Sequence, residues 1–311
     1  MLTRSLPTWL DRTEYPFQSK FLATPHGAMH YVDEGAGDVI LFVHGNPTWS
    51  FEHRRLIKHL STRFRCIAVD HIGFGLSDKP ADASYLPQFH AENLARFIDA
   101  LGLKKITFVL HDWGGPIGMS YALDHHDNVA RIIAYNSWFW SLKGMKTFEK
   151  FSGFVGGPVG RFLCRYFNFF PRVLLPGSVG DKKRLAKSAH RHFIKPFPTP
   201  RSRKGTWVFP GAIIGQSVWL ESLWVKRAAL KDTPLLLLWG LKDVAFTPEL
   251  LARWEEAFPD HTTLTYPHVG HFAPEELGAA AIAPVDSFLV AHPVSPPQPH
   301  PASRASGNHR P

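Results

Sequence analysis

Apolar residues are spaced along the chain in two alternating rhythms. Val39 to Val43, Arg65 to Val69, Ile106 to Leu110, Val129 to Tyr135 and Pro234 to Trp239 are short, nearly continuous apolar runs. That is the pattern of strands buried on both faces. Between them lie stretches of helical spacing: Phe51 to Leu60, Phe89 to Leu101, and Gly114 to about His125. In the second of these, Phe89, Leu94, Phe97, Ile98 and Leu101 share a face and Gly102 stops the helix. Pro248 to Phe258 reads as a further helix, Thr262 to Tyr266 as the last strand and Pro274 to Val290 as a closing helix. Lys20 to Thr24 and Ala28 to Glu34 flank Pro25-His26-Gly27 and read as a hairpin. Strands alternating with helices predict an α/β chain, with a mostly parallel central sheet and helices on both faces.

The rhythm breaks at residues 137–230, which are dense in Phe, Trp, Gly, Pro and basic residues and helical in spacing where they are regular. We read them as an inserted helical cap (lid) on a core made of residues 15–136 and 231–292. Residues 293–311 are rich in Pro, Ser and His and are expected to form a disordered tail. Within the cap, Phe162, Leu163, Tyr166, Phe167, Phe169 and Phe170 form an aromatic stretch. It suits pocket lining or cap core first, and a homo-oligomer face second.

Composition changes this picture little. The 311 residues are 44% hydrophobic and 20% charged, as in ordinary globular enzymes. Part of the formal charge of +9 sits in Lys182-Lys183-Arg184 and in Arg201, Arg203 and Lys204. No nucleic-acid fingerprint accompanies it, so these read as a solvated face and a loop, with no nucleic-acid partner. Cys66 and Cys164 lie far apart without metal-ligand spacing, which fits a reducing cytoplasm and no metal. No secretory leader is evident, and no uncharged apolar run is long enough to span a membrane.

The chemistry gathers where strands end. Ile106 to Leu110 is followed by His111-Asp112-Trp113-Gly114-Gly115, the layout of a nucleophile elbow with Asp at its centre and Leu110 in place of the first glycine. Asn46 follows Val43, Asp243 follows Trp239 and His271 follows Tyr266. A lone Asp before a helix is commonly an N-cap, and a lone His on a loop is commonly structural. Four such residues at four strand ends, in the order nucleophile, acid, histidine, form a site instead. The other strand end that could hold the acid gives Asn136-Ser137-Trp138, with no carboxylate. The acid role therefore moves to Asp243. A carboxylate needs no proton removed before it attacks an electrophilic carbon, so Asp112 points to an alkyl-enzyme ester.

From about Tyr15 to Val290 the chain resembles the haloalkane dehalogenase family of α/β-hydrolases. The resemblance is carried by His44-Gly45-Asn46-Pro47-Thr48, Asp70 to Ser77, His111 to Gly115, Gly240-Leu241-Lys242-Asp243 and Val269-Gly270-His271-Phe272. It implies hydrolysis of small apolar haloalkanes to alcohol and halide, without metal or organic cofactor. Asp112 would be the nucleophile, His271 the base that activates water, and Asp243 the residue that orients the base. Asn46 and Trp113 would bind the halide through their side chains, and their backbone N–H groups would form the oxyanion hole. The combination is similar to the branch with an Asp-His-Asp triad and an Asn-Trp halide pair. Trp138, Trp140, Trp207, Trp219 and Trp224 keep open a cap Trp as the second halide donor. An epoxide hydrolase would need two cap tyrosines, and Tyr166 is the only one in residues 137–230. A luciferase of the Renilla type, or a receptor with an idle triad, would share the same motifs.

Overall fold

The computed structural model describes residues 4–294. Eight strands form one sheet: β1 (Lys20–Thr24), β2 (Gly27–Glu34), β3 (Val39–Val43), β4 (Arg65–Val69), β5 (Ile106–Asp112), β6 (Val129–Ser137), β7 (Leu235–Gly240) and β8 (His261–Tyr266). Their spatial order is β1-β2-β4-β3-β5-β6-β7-β8. β1 and β2 are antiparallel, β2 pairs antiparallel with β4, and every pairing from β4 to β8 is parallel. Alternation along the strands divides the core in two. Leu41, Val43, Phe108, Leu110 and Leu237 face one cluster, and Ile40, Phe42, Val109, Ile133 and Leu238 face the other. The first is covered by α2 (Pro87–Ala100), α3 (Gly114–Asp124) and α10 (Pro248–Ala257). The second is covered by α1 (Arg54–Leu60), α11 (Ala273–Leu277) and α12 (Ile282–Ala291).

β3 has β4 on one side and β5 on the other. The chain reverses its winding there, and the carboxyl ends of β3 and β5 open the crevice in which such sheets bind ligands. Asn46 and Asp112 stand at those two ends.

Between β6 and β7 run α4 (Lys146–Val155), α5 (Pro158–Phe167), a π-turn (Phe170–Leu174), the single turn α6 (Leu175–Gly177), α7 (Lys187–Ile194), α8 (Gly205–Gly215) and α9 (Ser217–Val225), with three short 3₁₀ turns. Of the expected tail at 293–311, residues 295–311 lie outside the described residues.

Two sequence expectations change. The predicted helix Phe51 to Leu60 begins as a 3₁₀ turn, Ser50–His53, and becomes α-helical at Arg54. The closing helix from Pro274 to Val290 is broken into α11, a 3₁₀ turn (Gly278–Ala281) and α12. Gly278 is the cause: its φ of +52° ends α11 in a region that L-residues rarely enter. The Leu110 that replaces the elbow's first glycine is accommodated from the facing helix. A Cβ at Gly118 would strike the Leu110 side chain, and one at Gly114 would strike the carbonyl oxygen of Val43.

Candidate active site

Asp112 ends β5 with φ +47°, a left-handed backbone for a residue with a side chain. A register shift between His111 and Asp112 in the pairing with β6 turns it out of the sheet. Ser137 Oγ donates to the Asp112 carbonyl at 2.7 Å and holds the turn from β6. Its carboxylate Oδ2 accepts the backbone N–H of Asn46 at 2.9 Å, and the Trp113 N–H also serves the carboxylate. Burial raises the Asp112 carboxyl above its ordinary value, opposed by His271, His111 and these two N–H groups.

His271 Nε2 is 3.7 Å from Asp112 Oδ1. Its Nδ1–H donates to Asp243 Oδ2 at 2.7 Å. Burial would lower the imidazole, but Asp243, and after it Asp112, more than offset this and raise it to about 9. Phe246 lies against the ring, with centroids 5.2 Å apart. The backbone N–H of His271 donates to Ser178 O at 2.9 Å, which ties the histidine loop to the helices between β6 and β7. Asp243 Oδ1 accepts the N–H groups of Ala245 and Phe246 at 2.9 and 3.1 Å. Burial raises its carboxyl, yet His271 and those N–H groups bring the net shift downward.

Asn46, Asp112, Trp113, Asp243 and His271 all line one cavity of about 140 Å³. Its walls are otherwise mostly apolar, with Phe148, Phe151, Phe170, Leu174 and Ile213 among them. No tyrosine lines it. Tyr166 is exposed on the outer side of α5. The aromatic stretch therefore divides: Phe170 lines the cavity, whereas Phe162, Tyr166 and Phe167 face solvent, contrary to the preference for lining or core. Of the five tryptophans named beyond the motifs, Trp138 alone lines this cavity, and its buried Nε1 has no partner. Trp113 packs edge-on to Trp138 and stacks on Phe209 of α8. Among the described residues, no group of three or more His, Cys, Asp or Glu could hold a metal.

Several residues at this site were not singled out from sequence. Asn136 Nδ2 donates to Asp243 Oδ2 and to Gly240 O, both at 3.0 Å, and its Oδ1 accepts the Gly240 N–H. The buried Glu52 accepts His111 Nδ1–H at 3.0 Å. Burial would raise the Glu52 carboxyl, but His111 and His53 hold it well below the usual carboxylate range. Glu276 accepts the N–H groups of Gly270 and Gly180, both at 2.9 Å. Asn136 was visible only as a missing carboxylate. Glu52 and Glu276 are ordinary helix residues in sequence, and only the fold brings them to the loops they hold.

A family model described as alpha/beta hydrolase fold matches residues 38–276. The chain is 38% identical over 278 residues to haloalkane dehalogenase 2 of Mycobacterium tuberculosis, covering 88% of this chain and 96% of that protein. It is 32% identical over 289 residues to cis-3-alkyl-4-alkyloxetan-2-one decarboxylase of Shewanella oneidensis, covering 89% and 90%. A solved mutant of haloalkane dehalogenase DatA from Agrobacterium tumefaciens superposes with a TM-score of 0.80 at 27% identity, covering 88% and 96%.

Proposed function

This chain belongs to the α/β-hydrolase family and, within it, to the haloalkane dehalogenases, and we propose that it hydrolyses small haloalkanes through a covalent ester on Asp112. The observation that carries this reading is the placement of a buried carboxylate between two backbone donors and a carboxylate-bound histidine, inside an apolar cavity. Oδ2 of Asp112 is held by the Asn46 N–H, so Oδ1 is the oxygen left to attack. The C–O bond forms as the C–halogen bond breaks, and the halide takes the electron pair. Asn46 and Trp113 offer neutral donors, which hold an anion and later release it. Their backbone N–H groups stabilise the oxyanion when water attacks the ester carbon.

The charge of the site supports the order of steps. In the free enzyme His271 is raised to about 9 by two carboxylates. Esterification removes the charge of Asp112, and with it part of what keeps His271 protonated. The imidazole then holds its proton less strongly, which is the direction that a base for ester hydrolysis requires. Asp243 holds the base, in the manner of the branch with an Asp-His-Asp triad. Residues 15–136 and 231–292 serve as the core and 137–230 as the cap that closes the cavity. Two buried free thiols, Cys66 and Cys164, agree with a cytoplasmic setting. No helix among the described residues is long and apolar enough to cross a membrane.

The likeness to oxetan-2-one decarboxylases supports a second reading. The same carboxylate can open a strained lactone by attack on its alkyl carbon, with a carboxylate leaving in place of halide. That carboxylate then departs as carbon dioxide, and the electron pair of its C–C bond forms an alkene as the Asp112 carboxylate is released. Halide release from 1-bromobutane, measured beside carbon dioxide release from a cis-dialkyl oxetan-2-one and hydrolysis of styrene oxide, separates the readings. Halide release above an Asp112→Ala control is the expected result. Its absence overturns the dehalogenase reading, and carbon dioxide release alone installs the second.

A further inference from the structure

The region above the sheet differs from the rest of the chain in charge. Residues 137–204 hold fifteen Lys and Arg against two acidic residues, Glu149 and Asp181, while the whole chain carries +9. The remainder of the chain, taken together, is therefore net acidic. Thirteen of the fifteen are exposed. Arg203 is the buried exception, its guanidinium occupied by the carbonyls of Phe197, Arg165 and Tyr166.

The same span leaves large apolar side chains in solvent. α5 turns Gly160 and Cys164 inward: a Cβ at Gly160 would strike the backbone of Phe154 and Val155, and Cys164 is buried with Val155 and Phe170. Its outer side carries Val159, Phe162, Tyr166 and Phe167, which are 60%, 55%, 52% and 60% exposed. The Phe162 ring is 5.0 Å from Tyr166 and 5.9 Å from Phe167, so these three form one patch. Phe154 on α4 and Val173 on the π-turn are exposed as well. Arg161 and Arg165 stand on α5 itself and Arg172 on the π-turn, all exposed. Soluble monomers rarely leave a contiguous group of this kind uncovered. Residues 295–311 contain no large apolar side chain that could cover it.

We propose that this face docks on an anionic lipid surface. Phe162, Tyr166 and Phe167 enter the boundary between headgroups and acyl chains, and the surrounding arginines meet lipid phosphates. Val159 and Val173 among the exposed side chains favour hydrocarbon over nucleic acid, which binds through stacking rings and polar donors. The face backs directly on the cavity. α4 gives Phe151 to the lining and Phe154 to the outside, and the π-turn gives Phe170 and Leu174 to the lining and Val173 to the outside. Under the dehalogenase reading, apolar substrate dissolved in the bilayer would stand beside the cavity wall. The docking itself is independent of that reading.

The test is flotation of the full chain with phosphatidylcholine vesicles, with and without phosphatidylglycerol. Binding is expected only with the anionic lipid, and it should weaken as salt is added. Arg161→Glu with Arg165→Glu, and separately Phe162→Ser with Phe167→Ser, should each weaken binding by about tenfold or more at unchanged melting temperature. No flotation at low salt overturns the proposal, as does flotation that neither pair alters. A dimer seen by sedimentation velocity and abolished by the Phe pair, without flotation, assigns the face to a second copy. Duplex DNA bound by the parent and not by the Arg pair, without flotation, assigns it to nucleic acid.

Discussion

Nε2–H of His111 donates to the carbonyl oxygen of His271 at 2.9 Å. The residue before the elbow Asp thus holds the backbone of the histidine that faces that Asp. Glu52 fixes the ring from its other side at 3.0 Å, and all three groups are buried or nearly so. Chains of this kind set the distance between reacting groups, where a shift of about 1 Å costs about a hundredfold.

Glu52→Gln keeps an acceptor but removes the charge. We expect kcat to fall by about ten- to a hundredfold with KM nearly unchanged. Rapid-quench kinetics should show the loss mainly in ester hydrolysis, the step that uses His271. An equal loss in both steps would mean that Glu52 supports Asp112 instead.

His271→Phe removes the imidazole proposed as the base and leaves Asp112 in its donors. The first step should proceed and the ester should persist, adding the alkyl group of the substrate to the intact mass. A variant that is folded and carries no adduct after incubation with 1-bromobutane would contradict a carboxylate nucleophile.

Asn46→Ala and Trp113→Phe each delete one side-chain donor, and the second retains the ring that stacks on Phe209. Each should weaken chloride binding and turnover by about tenfold or more, the range of a hydrogen bond to an ion. Chloride quenching of tryptophan fluorescence is the measurement for Asn46→Ala, and inhibition by chloride is the one for Trp113→Phe.

Stability should depend on pH through His271. Its folded value of about 9 lies above the unfolded value of about 6.5, so folding binds its proton more tightly. The contribution is fully present below about pH 6.5 and is lost as pH rises through about 9, with an upper bound of about 3 kcal/mol. Thermal melts of the protein and of His271→Phe across this window should converge toward its upper end.

The middle of the sheet was legible because its central strands are buried on both faces and bounded by glycine, proline and charge. The limits of β3 and β4 coincide with their apolar runs, Val39–Val43 and Arg65–Val69. The five residues proposed for the site, which line one cavity, could be picked out for a related reason: each stands at a strand end or in the loop just after it. Broken helices were harder to see. Gly278 does not interrupt the apolar spacing of the closing helix, so only its backbone angle reveals the stop. Helical spacing likewise shows that α5 has an apolar face, not which side the neighbouring helices cover. Phe162 and Phe167 therefore read as lining or core in sequence, whereas the fold turns Gly160 and Cys164 inward in their place.

Asn136 and Asp243 come from adjacent strands, and their side chains meet at 3.0 Å. The carboxylate that holds His271 therefore has a neighbouring seat already filled by a residue of the same shape. Asn136→Asp followed by Asp243→Asn would carry the acid from β7 to β6 in two exchanges of oxygen for nitrogen. In that order the single intermediate has Asp at both positions and keeps a carboxylate beside the histidine. The acid can then move from one strand end to the next without a variant that lacks it, and the swapped pair should retain activity that Asp243→Asn alone loses.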